Sequence, residues 1–310
     1  MRRILVTPRS LTASPHPAVE RMRENGYDIV YCTSRQQPDE AELIRLAPGV
    51  VGWLAGVEPV SEAVIAAAQD LRAISRNGTG VDNLPLRALA ARGIALRTAD
   101  GANALGVAEL TIGLTFAALR HIPLVDAGVK AGKWPRRLGR EVRGRTFGVV
   151  GMGAVGREVA RLAGAVGAKV LAYDPLRPPT GAAELAVRWA DLATVFAESE
   201  IVSLHCPGPA DGRPIIGVGE LAAFRRGAVL VNTARAALVD EAALLGALQS
   251  GQLDVYATDV FAQEPPRDLA LVRHDRVIAV SHIGGYTQES VERATTAAVA
   301  NLLEALASAT

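Results

Sequence analysis

Thr146-Phe-Gly-Val-Val150 runs straight into Gly151-Met-Gly153-Ala154-Val155-Gly156, and the Ala-rich stretch from Arg157 to Val166 follows. A short apolar run rich in valine reads as a buried strand, and the stretch beyond the glycines reads as a helix. Between two such elements the Gly-x-Gly-x-x-Gly pattern has a mechanical meaning. Gly151 permits a tight turn, Gly153 lets backbone approach a pyrophosphate, and Gly156 lets helix and strand pack closely. Ala154 and Val155 belong to the same loop. The helix N-terminus offers N–H groups and partial positive charge to phosphate oxygens. A further strand, Lys169-Val-Leu-Ala-Tyr173, leads to Asp174, 18 residues past Gly156 (174 − 156). That is close to the spacing of about 20 for a ribose-binding acid. A carboxylate there accepts hydrogen bonds from the ribose 2′-OH and repels a 2′-phosphate, so NAD is the expected cofactor. Arg177, three residues on, leaves NADP open. Glycine-rich turns alone are common; strand, glycines, helix and acid in this order are not.

Working outward, short β-like runs alternate with Ala-rich helical stretches along the whole chain. Upstream, Ile4 to Thr7, Asp28 to Tyr31, Val50 to Leu54, Ala73 to Ser75 and Ala95 to Thr98 read as buried strands. Helical segments lie between them: Pro17 to Asn25, Asp39 to Leu46, Ser61 to Gln69 and Pro85 to Arg92. A long apolar helix, Gly106 to Arg120, and a basic, Pro/Gly-rich stretch, Lys130 to Arg145, lead into the glycine motif. Downstream strands read Ile201 to His205, Ala228 to Asn232, Val255 to Asp259 and Val277 to Ser281, before a last helix from about Thr287. This alternation predicts α/β architecture with parallel sheets covered by helices on both faces. The expected organisation is two doubly wound lobes, the second a Rossmann dinucleotide-binding domain, with a cleft between them.

The 310 residues suffice for two domains of ordinary size. Net charge is +1, which gives no reason to expect nucleic acid or an acidic membrane as partner. Aromatics are only 4%, so the core must be built from Ala, Val, Leu and Ile. No run approaches the 18 or so apolar residues of a membrane span. Two cysteines, Cys32 and Cys206, are too few for a disulfide framework or a zinc site, so a cytoplasmic location is expected. His16, His121, His205 and His274 lack metal-ligand spacing, and no metal is expected.

Hydride transfer between a nicotinamide and a carbonyl needs a group to polarise the carbonyl, a proton donor for its oxygen, and the nicotinamide held against the carbon. Arg235 sits just past the strand Ala228 to Asn232, at the end where parallel sheets bind ligands. Its guanidinium can grip a carboxylate with two parallel N–H bonds. His282 follows the strand from Val277, and an imidazole with a pKa of about 6.5 exchanges protons near neutrality. Glu264 follows the strand from Val255 through a short loop. A strand-end cysteine such as Cys206 is a packing residue more often than a nucleophile.

Five stretches together make the chain resemble the D-2-hydroxyacid dehydrogenase family, in its phosphoglycerate dehydrogenase-like branch. They are Arg76-Asn-Gly-Thr-Gly-Val-Asp-Asn83, Gly151 to Gly156, Val231-Asn-Thr-Ala-Arg235-Ala-Ala-Leu-Val-Asp240, Asp259-Val-Phe-Ala-Gln-Glu264-Pro-Pro266 and Ser281-His282-Ile-Gly-Gly285. The resemblance implies His282 as acid/base, Glu264 as its partner and Arg235 as the third catalytic residue. It implies cofactor contacts at Val107, Cys206, Pro207, Thr233, Ala234, Asp259 and Gly284, with Asp259 on the nicotinamide carboxamide. It places the amides of Asn77 and Gly78 on the substrate carboxylate and Arg76 on a substrate phosphate. It returns the final helix to the first lobe, giving a substrate domain of residues 1–100 plus 287–310 and a NAD-binding domain of residues 101–286. It also implies a homodimer built on the Gly106 to Arg120 helix and the arm around Trp134.

The chain departs from the family pattern at several points. Ala236 stands where glycine is common, Ser281 where proline is common, and Asn77 where a smaller residue is common; Tyr286 follows the glycine pair. The chain ends at Thr310, and no C-terminal regulatory domain is expected. These departures leave the substrate open. A phosphorylated acid would use Arg76 and the basic run Lys133 to Arg143. An imino acid in place of the 2-oxo acid would yield a D-amino acid on the same scaffold. A non-enzymatic, nucleotide-sensing corepressor is a third reading, against which the retained Arg235, Glu264 and His282 argue.

Overall fold

The computed structural model of the chain describes residues 2–14, 16–176, 185–209 and 211–308. The chain folds as two compact units, Met1–Asn103 with Thr287–Thr310, and Ala104–Tyr286.

The first unit runs β1 (Arg3–Val6), α1 (Arg9–Ala13), α2 (Pro17–Glu24), β2 (Asp28–Tyr31), α3 (Glu40–Leu46), β3 (Val50–Ala55), α4 (Glu62–Ala67), β4 (Ala73–Arg76), α5 (Leu86–Ala91) and β5 (Ala95–Thr98). The five strands pair in parallel in the order β2-β1-β3-β4-β5. Successive side chains on a strand face opposite ways, and here both faces are buried. Ile4, Val6 and Leu54 join one apolar cluster, and Leu5, Trp53 and Ile74 join the other. Asp39 and Ser61, which the sequence pattern places inside helices, are their N-caps: each side chain accepts an amide hydrogen from the residue three further on.

A C-terminal helix, Gln288–Ser308, covers one face of this sheet and packs on α2. Ala294, Ala298, Val299, Leu302, Ala305 and Leu306 are its buried stripe, at the three-and-four spacing of a helix seated on a core. Gly52 on β3 gives it room, since a Cβ there would stand 2.8 Å from Leu306 Cδ1. Asn301 Nδ2 donates to Thr98 O at 2.9 Å and Arg293 Nε to Ala102 O at 2.8 Å, pinning the helix to the end of β5 and to the loop after it.

The second unit opens with α6 (Ala104–Leu119) and α7 (Ile122–Lys130), separated by His121 in a left-handed conformation. It continues β6 (Thr146–Val150), α8 (Ala154–Ala165), β7 (Lys169–Tyr173), β8 (Val187–Trp189), α9 (Leu192–Glu198), β9 (Ile201–Leu204), α10 (Val218–Ala223) and β10 (Ala228–Asn232). A 3-10 turn (Ala236–Leu238), α11 (Glu241–Gln249), β11 (Leu253–Thr258) and β12 (Val277–Ala279) complete it. All seven strands are parallel, in the order β12-β11-β10-β9-β6-β7-β8. The winding reverses between β6 and β9, and ligands of such sheets bind beyond the strand C-termini at that reversal. Alternation again serves two cores: Phe147 and Val149 face one, Val150 the other. Helix α6 is apolar on nearly all sides and packs on α8, β10 and β11.

The doubly wound α/β architecture agrees with the sequence reading. The edge strand β8 and helix α7 were not legible there. Strand β12 ends at Ala279 rather than Ser281. Val280 still donates its N–H to Thr258 O at 3.0 Å, but the backbone then turns out of the ladder to reach His282 at φ 54°. Among the described residues no single helix is long and apolar enough to cross a membrane.

Candidate active site

The glycine loop follows β6 and enters α8 with Gly153 as N-cap. Gly151 has φ 93°, and a Cβ there would come within 2.7 Å of the backbone of His205 and Cys206. A Cβ on Gly156 would lie 1.9 Å from Gly151 O, so helix and loop touch at van der Waals contact. At Gly153 the same construction meets nothing within 4 Å: the space beside the helix N-terminus is open. The first amides of α8, including those of Ala154 and Val155, have no carbonyl one turn earlier to bond. An open cradle, a helix N-terminus and a nearby acid fit a dinucleotide.

That acid, Asp174, also shapes the loop. Its Oδ2 accepts Met152 N–H at 2.7 Å and its Oδ1 accepts Leu176 N–H at 2.8 Å. Each carboxylate oxygen keeps a further lone pair for a ribose hydroxyl. Arg177 lies outside the described residues. Cys206 and Pro207 follow β9 beside the glycine loop. Burial pushes the Cys206 thiol up to about 11, so it is protonated at neutral pH and suited to packing rather than attack.

Strands β10, β11 and β12 deliver the remaining groups at their C-terminal ends. Asn232, the buried last residue of β10, accepts Ala234 N–H on Oδ1 at 3.1 Å and donates from Nδ2 to Arg235 O at 2.9 Å. It thereby folds the turn that presents Arg235, whose Nη1 donates back to Ala234 O at 2.8 Å. Asn232 is a positioning residue that sequence reasoning missed. Its signal was a lone amide closing the apolar run Ala228-Val-Leu-Val. The same turn is tied to α6 by a 2.9 Å hydroxyl contact between Thr233 and Thr111.

His282 Nδ1 lies 2.7 Å from Glu264 Oε2, while Glu264 Oε1 accepts Phe261 N–H at 3.1 Å. The hydrogen bond to Glu264 raises the imidazole pKa above its ordinary value, against the lowering effect of burial and of the Arg235 charge. Burial pushes the Glu264 carboxyl up, but the His282 hydrogen bond and charge, the Phe261 amide and the Arg235 charge prevail. The carboxyl ends below its ordinary range. Arg235, Glu264 and His282 therefore lie within electrostatic reach of one another.

Asp259, buried after β11, sits beside them. Its Oδ1 accepts Ile283 N–H at 2.7 Å and its Oδ2 accepts Gly284 N–H at 2.8 Å. The group assigned by resemblance to a carboxamide thus also anchors the loop that carries His282. Gly284 is needed there: a Cβ would stand 2.9 Å from Asp259 Oδ2 and 3.3 Å from Val107 Cγ2. Of the departing residues, Ala236 opens the 3-10 turn after Arg235, whereas Ser281 and Tyr286 are exposed.

In the first unit, two expectations meet a different geometry. Asn77 N–H donates to Ala55 O at 2.9 Å, prolonging the β3–β4 ladder by one residue, so that donor is spent. Gly78 remains the candidate amide. Arg76 is only 6% exposed and donates to the carbonyls of Gly80, Ala55 and Gly56.

The second unit brings the glycine cradle and the strand-end His–Glu–Arg set together on one parallel α/β sheet. Residues 112–284 match the model of the D-isomer specific 2-hydroxyacid dehydrogenase NAD binding domain. The chain belongs to the D-isomer specific 2-hydroxyacid dehydrogenase family. It is 38% identical over 286 residues to a D-3-phosphoglycerate dehydrogenase of Archaeoglobus fulgidus, covering 90% of this chain and 54% of that protein. It is 38% identical over 261 residues to a hydroxypyruvate reductase of Thermotoga maritima, covering 82% and 84%. Among solved structures, the TT0316 protein of Thermus thermophilus superposes with a TM-score of 0.87 at 33% identity, covering 99% and 97%. The chain spans about half the length of the phosphoglycerate dehydrogenases it matches.

Proposed function

We propose that this chain is a NAD-dependent oxidoreductase interconverting a 2-oxo acid and a D-2-hydroxy acid. The observation that carries the reading is the 2.7 Å His282–Glu264 couple within electrostatic reach of Arg235, in the unit that holds the glycine cradle. Bound NAD supplies hydride exchange at the substrate C2. The chain's own residues do the rest. Gly151, Gly153, Gly156 and the N-terminus of α8 receive the pyrophosphate, and Asp174 takes the adenosine ribose and disfavours NADP. Arg235 grips the substrate carboxylate and polarises the neighbouring carbonyl. Glu264 holds Nδ1–H of His282, which leaves Nε2 to give a proton to the carbonyl oxygen in reduction and to take it back in oxidation. Asp259 fixes the His282 loop.

The test is NADH oxidation followed in the presence of short 2-oxo acids. Turnover is expected in the wild type. Arg235→Ala and His282→Ala are each expected to lower kcat/KM by about three orders of magnitude or more, with NADH affinity retained. Turnover at the wild-type rate in either variant removes that residue from the mechanism.

The Gly106 to Arg120 helix, expected at a dimer seam, is largely buried against α8, β10 and β11, so we assign the apolar face of α7 and the arm beyond it to a second copy of the chain. Ile122, Val129, Trp134 and Leu138 are 51, 46, 82 and 97% exposed, more apolar surface than one nucleotide unit needs. Sedimentation velocity should show a dimer that Trp134→Ser weakens; a monomeric wild type ends that assignment. The two cysteines are unpaired, in keeping with a cytoplasmic site of action.

A further inference from the structure

Two buried hydroxyls meet between α6 and the turn that carries Arg235, and their hydrogens can be counted. Thr111 Oγ1 lies 2.9 Å from Val107 O, one helical turn earlier, and 2.9 Å from Thr233 Oγ1. A hydroxyl owns one hydrogen, and a carbonyl oxygen can only accept. The Thr111 hydrogen is therefore spent on Val107 O, the bond that a helical threonine can make to the carbonyl four residues back. Thr115 makes the same bond to Thr111 O at 2.8 Å. The contact between the two hydroxyls must then use the hydrogen of Thr233.

The Thr233 oxygen is left with lone pairs and no hydrogen to give. Among the described residues no donor besides Thr111 lies within reach of it. Thr111 is fully buried while Thr233 keeps 9% exposure, so only Thr233 can meet a ligand. Thr233 is the first residue beyond β10, and β10, β9 and β6 are neighbours in one parallel sheet. It therefore stands on the sheet edge that carries the glycine cradle. The same turn of α6 touches the His282 loop as well: Val107 Cγ2 and Leu110 Cδ2 lie 3.3 and 3.6 Å from the place of a Cβ on Gly284. A hydroxyl that can only accept selects a ligand group that donates. With Asp174 on the adenosine ribose and Asp259 toward the carboxamide, the donor left for Thr233 is a hydroxyl of the nicotinamide ribose.

We propose that Thr111 is a positioning residue for cofactor binding: by accepting the Thr233 hydrogen it keeps Thr233 an acceptor for a hydroxyl of the nicotinamide ribose. This rests on the NAD-binding reading of the second unit.

The experiment measures NADH affinity of the full chain by fluorescence titration in a double-mutant cycle, with the melting temperature of each free protein alongside. Thr111→Val keeps the shape and removes the acceptor, which frees the Thr233 hydrogen to turn toward the ligand. It is expected to weaken NADH binding about two- to tenfold. Thr233→Val is expected to weaken it by a similar factor. The double variant is expected to bind no more weakly than Thr233→Val alone, because Thr111 acts only through Thr233. Thr111→Ser restores the acceptor and is expected to bind as the wild type does. Losses that multiply in the double variant overturn the proposal, since Thr111 would then act through the packing of α6. So does Thr111→Ser binding as weakly as Thr111→Val. Wild-type affinity in Thr233→Val overturns it even if Thr111→Val does not fold. A wild type that binds no NADH ends the cofactor reading itself, and the proposal with it.

Discussion

His282 stands on a backbone with φ 54°, a left-handed conformation that costs a residue with a side chain about 1–2 kcal/mol. The two amide bonds to Asp259, on the residues directly after it, hold the turn in place. With the ring so fixed, the carboxylate on Nδ1 sets its proton affinity. The imidazole pKa is raised first by the Glu264 hydrogen bond and further by the Glu264 and Asp259 charges, so His282 stays protonated to a higher pH than a free histidine. Reduction needs the protonated ring and oxidation the neutral one. Glu264→Gln removes the charge that favours the proton. The pH above which reduction falls off should therefore move down, and oxidation should begin at a lower pH. Paired pH profiles of kcat/KM check this; an unmoved profile would falsify the Glu264–His282 coupling.

At the scale of elements, the turn between β6 and α8 separates two uses of glycine. Gly156 is required by packing, since a methyl would sit inside the carbonyl of Gly151. Gly153 is not, because a methyl there meets no protein atom. Gly156→Ala should destabilise the second unit by about 1–3 kcal/mol as the helix is pushed off the strand. Gly153→Ala should leave the melting temperature unchanged yet weaken NADH binding, because the space it fills is the cradle. Calorimetry and NADH fluorescence titration separate the two; equal effects on both readouts would remove the distinction. Much of this element was legible from spacing alone, because glycine, helix and acid must follow a strand in fixed order to work. Strand β8 was not legible: three residues at a sheet edge are too few to show a period. The strand-end turn after β10 was legible as a place for Arg235, but not as the work of Asn232, whose bonds reach only residues that follow it around the turn.

At the scale of the whole molecule, the last 24 residues belong with the first 103. Leu302 is fully buried in the cluster that contains Ile4, Val6 and Leu54. Leu302→Ala should cost the first unit about 2–5 kcal/mol. Limited proteolysis should then cut within residues 2–103 while residues 104–286 resist, and NADH should still bind, since its cradle lies wholly in the second unit. Cuts appearing first in residues 104–286 would contradict this division.

Local pattern in the chain was enough to determine the parallel α/β class, the dinucleotide loop and the strand ends on which Arg235, Glu264 and His282 stand, because each is written in neighbouring residues. The tertiary structure alone decided what those side chains do with their hydrogen bonds. Arg76 turns inward to three carbonyls, the Asn77 amide is taken by Ala55, and Asp259 reaches across 24 residues to the Ile283 amide. A donor or acceptor can be spent only on a partner that folding brings to it, and no spacing along the chain records which partner arrives.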